Sequence, residues 1–117
     1  MILNYNHLKY KGKDMKQHQY HITVQHVADA KGQPSTYTQP LEFNTGNHDD
    51  IFAIVERLKN AKLFEDEQTS ISFAVGLKLF GEVMLENRDH PLFQELIPQF
   101  GQFMKKLKQS TAEPISK

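Results

Sequence analysis

Three adjacent residues, His48-Asp49-Asp50, carry side-chain types that could hold a divalent cation or move a proton. Neighbouring side chains on a helix point about 100° apart, so three in a row rarely converge on one ion. Their residue types also suit a helix start, where a capping oxygen and negative charge satisfy free backbone N–H groups. Capping is the simpler reading. Glu82 and Glu86 stand four positions apart, a spacing that puts two carboxylates on one helix face and can chelate a metal when another helix adds ligands. A solvated helix face explains the pair equally simply. His90 follows, but Pro91 biases it away from helical geometry, so it need not face the two glutamates.

Other titratable groups are weaker still. His18, His21 and His26 lie in one strand-like stretch, but alternation sends His21 to one face and His18 and His26 to the other. They read as surface histidines that titrate near neutral pH. Arg57, Lys59, Arg88, Lys105, Lys106 and Lys108 could meet an anion or a nucleic acid, yet no aromatic residues interleave with them. The chain shows no nucleophile constellation, no phosphate-binding loop and no cofactor motif, so no catalytic or cofactor-binding residue is assigned.

The elements that would position these residues follow from periodicity. Tyr20, Ile22 and Val24 alternate with His21, Thr23 and Gln25, which predicts a half-buried strand over 19–28. Asp29-Ala30-Lys31-Gly32-Gln33-Pro34 is a turn in which Gly32 can take positive φ. A second strand is expected over 36–44, broken or at an edge near Pro40, which cannot donate to a ladder. Asn47 or His48 is then expected to cap a first helix, with Asp49 and Asp50 in its first turn and Ile51, Phe52, Ile54, Val55 and Leu58 as its apolar stripe. Leu63 and Phe64 are expected to tuck back onto the core.

A second helix, capped by Asp66 or Thr69, is predicted to end near Glu86. Apolar residues nearly surround it, so it is expected at the centre, with Gly76 and Gly81 allowing close approach by another element. Asp89 is expected to cap the third helix, with Pro91 near its first position. Pro98 interrupts that helix, which is expected either as one kinked helix or as two nearly end to end. The fold class expected is α+β: an N-terminal antiparallel β-hairpin packed on a three-helix layer, the last helix kinked at Pro98.

The chain has 117 residues, enough for one ordinary domain, and fourteen basic residues balance fourteen acidic ones. Charge balance argues against nucleic acid as a partner. With no cysteine, disulfides and thiol chemistry are excluded, and a reducing cytoplasm is the expected location. No apolar run is long enough to span a membrane. Residues 15–108 are expected to form the single domain, and 109–117 a disordered tail. Residues 1–14 lack periodicity, and Lys11-Gly12-Lys13-Asp14 is what a purine-rich ribosome-binding site would encode just before a start codon. The natural start is therefore expected at Met15.

The stretches ITVQHVADAKG (22–32), FNTGNHDDIFAIVERLK (43–59), FAVGLKLFGEVML (73–85) and RDHPLFQEL (88–96) resemble a small bacterial family of uncharacterised domains of unknown function, from Met15 to Lys108. The resemblance implies no activity and no site residue. The function expected is a non-enzymatic protein-interaction or adaptor domain whose partner is a second copy of the chain or another protein. The alternative is a small metal-dependent enzyme or metal-binding protein using the His48-Asp49-Asp50 region, with Glu82, Glu86 and His90 as further ligand candidates.

Overall fold

Alternating apolar and polar residues give the first strand, β1, at His18–Val24, and it pairs antiparallel with β2, Leu41–Asn47. The computed structural model describes residues 16–111, so the expectations for residues 1–14 and for the end of the tail fall outside the described residues. Both strands sit later or shorter than periodicity alone suggests. Pro40 lacks an N–H, so the second strand begins only after it, at Leu41. The register then carries β2 through Thr45, Gly46 and Asn47, opposite Tyr20, Gln19 and His18. Tyr20, Ile22 and Val24 share a face with Leu41 and Phe43, as alternation requires.

The long connection between the strands has its own turn. Asp29 Oδ1 accepts from the backbone N–H groups of Lys31 at 2.9 Å and Gln33 at 2.8 Å, while Gly32 takes φ 88°. An Asx-type side chain and a glycine in the left-handed region close such a turn without strain. Ala28 and Pro34 form an isolated bridge just outside it.

The described residues up to His48 and those from Asp49 onward form two compact units. In the second, α1 runs Ile51–Ala61, α2 Glu67–Glu86, α3 Pro91–Gln94 and α4 Leu96–Thr111. The cap of α1 is Asp50, whose carboxylate accepts from the N–H of Ala53, so the helix starts later than a cap at Asn47 or His48 would place it. Asn47 is held in β2 by its pairing with His18 and is unavailable as a cap. Lys62, at φ 53°, ends α1 in the left-handed conformation, and its N–H reaches back to the carbonyls of Leu58 and Lys59. Ile51 and Leu58 are buried, whereas Phe52, expected in the same stripe, faces outward.

Helix α2 is capped by Asp66, which accepts from Gln68 N–H at 2.9 Å. Its most deeply buried positions are Ser70, Ala74, Gly81, Glu82 and Met84, while Phe80, Val83 and Leu85 remain exposed. Gly81 faces Phe100, whose ring would lie 3.5 Å from an added Cβ, an ordinary contact. Gly76 has no neighbour within 4 Å of that position, so close approach does not explain it. Gly76→Ala is therefore expected to stabilise the protein by about 1 kcal/mol, the helix-propensity difference, read as a higher denaturation midpoint.

The segment after Asn87 is two helices nearly end to end. His90, not Asp89, caps α3: its Nδ1 accepts from Leu92 N–H at 3.1 Å, and Pro91 fills the first helical position. Pro98 cannot donate to the carbonyl of Gln94, and its ring crowds that group, so the ladder breaks at Glu95. Pro98 thereby falls in the first turn of α4, where a missing N–H costs nothing. Helix α4 continues past Lys108 to Thr111; Ser110 and Thr111 hydroxyls donate back to the carbonyls of Lys106 and Leu107. Among the described residues no helix is long and apolar enough to cross a membrane.

Candidate functional site

The candidate metal-ligating residues hold separate structural posts. Asp49 accepts from Lys78 Nζ at 2.7 Å, tying the approach to α1 onto α2. Asp50 caps α1 and His90 caps α3. His48 lies between the end of β2 and that cap. Glu82 is buried and Glu86 exposed, so the two do not form the solvated stripe their spacing suggests. Among the described residues no group of three or more His, Cys, Asp or Glu side chains is placed to hold a metal ion. In the basic set, Lys59 stands 3.9 Å from Glu56 and 3.8 Å from Glu67.

A further constellation lies on the polar face of the hairpin. His21 is opposite Asn44, and its Nδ1 is 2.7 Å from Asn44 Oδ1. Its Nε2 is 3.0 Å from Glu42 Oε1, one step along the same face. Both partners offer acceptors, so both ring nitrogens donate only in the imidazolium form. The hydrogen bond to Asn44, then that to Glu42, hold the His21 pKa above its ordinary value of 6.5; desolvation opposes them, and the charge of Glu42 adds a still smaller upward push. Because the folded-state value is raised, the stabilisation is fully present below pH 6.5 and is lost as pH rises through the folded-state pKa. A ring-proton NMR titration should place the His21 midpoint above 6.5 and return it toward that value in Asn44→Ala. A wild-type midpoint at or below the ordinary value contradicts the geometry. The signal was hidden because only the strand register reveals that Asn44 and Glu42 flank His21.

Apolar surface is the other feature. On the hairpin, Val24 and Leu41 face each other in register and are 51% and 65% exposed; Phe43 is 39% exposed. In the helical unit an open groove of about 330 Å³ is lined by Leu63 and Phe64 after α1, Phe73 on α2, and Phe103, Lys106, Leu107 and Ser110 on α4. Phe64 packs edge-on to Phe73 at 5.3 Å, and Phe73 meets Phe103 at 6.3 Å. Phe64 and Leu63 thus fold back as expected, but they wall a groove that still opens to solvent.

Residues 18–109 match the family described as a domain of unknown function with solved structure, DUF3861. The chain is also similar to a solved structure, the crystal structure of a protein of unknown function from Pectobacterium atrosepticum. That likeness has a TM-score of 0.68 at 38% sequence identity and covers 80% of this chain and 98% of the other. No curated protein matches the chain.

Proposed function

We propose that this chain, which belongs to the DUF3861 family of domains of unknown function, is a cytoplasmic protein-interaction domain that associates with a second copy through its β-hairpin. The observation that carries this reading is the apolar face of the hairpin, where Val24, Leu41 and Phe43 lie side by side and remain open to solvent. A two-stranded sheet is marginal in water and gains from further strands or cover. A two-fold axis over the apolar face would set two hairpins face to face, with reciprocal contacts among Val24, Leu41 and Phe43 of each copy. Fully burying each Val or Leu side chain contributes about 1.5–3 kcal/mol, so a few such residues per copy suffice to shift the equilibrium.

Light scattering tests the reading directly. The expected result is a dimeric mass for the wild type and a monomeric mass for Val24→Lys with Leu41→Lys, with the helical circular dichroism unchanged. A wild-type monomer at high micromolar concentration overturns self-association. Elemental analysis of the same purified protein separates the alternative: stoichiometric tightly bound metal would favour a centre drawn from His48, Asp49, Asp50, Glu82, Glu86 and His90.

A further inference from the structure

We infer that the groove between the α1–α2 connection and the facing sides of α2 and α4 binds a small amphipathic carboxylate, its tail on the phenyl rings and its charge on Lys106. The volume, about 330 Å³, lies at the lower end of the range for small-ligand clefts, roughly 300–1,000 Å³. Phe64, Phe73 and Phe103 present ring edges and faces in successive edge-on contacts, and Leu63 and Leu107 complete an apolar lining. Such a surface takes an alkyl or aryl tail through area burial and asks for no particular hydrogen bond.

The polar end of the ligand follows from what the lining holds. Lys106 is the sole charged residue among those that line the groove. Its ammonium has no hydrogen-bond or ion-pair partner among the described residues, in contrast to Lys59 and Lys78, which stand beside carboxylates. The Ser110 hydroxyl, also in the lining, already donates to the Lys106 carbonyl at 2.9 Å, so the Lys106 ammonium is the side-chain donor the lining still offers. One cation in the lining of an apolar groove complements an anion with an apolar tail and disfavours a cationic amphiphile of the same length. The flexible four-carbon stem of lysine can cover part of the tail while its head meets the carboxylate.

The experiment is a ¹H–¹⁵N NMR titration of the full chain with sodium decanoate below its micelle concentration, beside decyltrimethylammonium as the oppositely charged probe. Saturable shifts centred on Phe73, Phe103 and Leu107 are expected with decanoate, weakened at least five-fold in Lys106→Glu and by added salt. Decyltrimethylammonium should give no saturable shift at these residues in the wild type and should gain binding in Lys106→Glu. A spectrum that otherwise overlays the wild type establishes that the variant is folded. Lack of saturation with decanoate, equal binding of both amphiphiles, or indifference to Lys106→Glu overturns the proposal. So would shifts at the same residues on raising protein concentration alone, because a second copy would then fill the groove.

Discussion

Phe93→Ala is expected to destabilise the protein by about 3–5 kcal/mol, the usual cost of removing a buried aromatic ring, and to lower the thermal midpoint by on the order of 10 °C. Phe93 is 8% exposed and sits in α3, a helix of only four residues. So short a helix cannot sustain itself by backbone hydrogen bonds, because nucleation costs more than one turn returns. Its position depends on Phe93, whose ring lies 6.1 Å from Phe80 on α2 and 5.8 Å from the His90 cap. The neighbouring Leu92 is 73% exposed, and Leu92→Ala should stay within about 0.5 kcal/mol of wild type. Denaturant melts of the two variants decide the matter; equal losses would mean that α3 is not anchored by the ring.

Leu58→Ala carries the second large effect, about 2–5 kcal/mol. Leu58 is 2% exposed near the end of α1, and its carbonyl also accepts the N–H of Leu63, so it lies where the helix turns back. Truncation would leave a cavity under that turn. Phe52 on the same helix is 75% exposed, and Phe52→Ala should be close to neutral at low protein concentration, helped by the better helix propensity of alanine. Chemical denaturation at two protein concentrations is the measurement. A large loss for Phe52→Ala that grows with concentration would place that ring in an interface between copies.

Several local features were readable directly. The face shared by Tyr20, Ile22 and Val24 follows from alternation, and the turn at Asp29–Gln33 follows from an Asx side chain before a glycine at φ 88°. Asp66 caps α2 because a short acceptor side chain precedes a long run of helix formers. The α+β class rests on such short-range rules. The candidate site was less legible. His48, Asp49, Asp50 and His90 drew attention by type, but a carboxylate or imidazole at a helix start is satisfied by the backbone next to it, as at Asp50 and His90.

What the sequence alone determined is therefore the kind and order of elements, because backbone sterics and hydrogen bonding act over a few residues. Pro98 called for a kink or a break in the last helix, and the residues around it favoured helix on both sides; the structure takes the break, and places it at Glu95 rather than at the proline itself. What the tertiary structure decided is which members of each apolar stripe are covered. Periodicity treats Ile51 and Phe52, or Phe80 and Met84, alike, yet Ile51 and Met84 are buried while Phe52 faces solvent and Phe80, though edge-on to Phe93 and Phe100, stays 43% exposed. Burial depends on whether another element reaches a given arc of the helix, and that is set by crossing geometry and connection lengths rather than by the helix's own residues. The same dependence brings Asn44 and Glu42 to His21 and leaves Lys106 beside an aromatic groove: each pairing joins residues far apart in the chain, through strand register in one case and helix packing in the other.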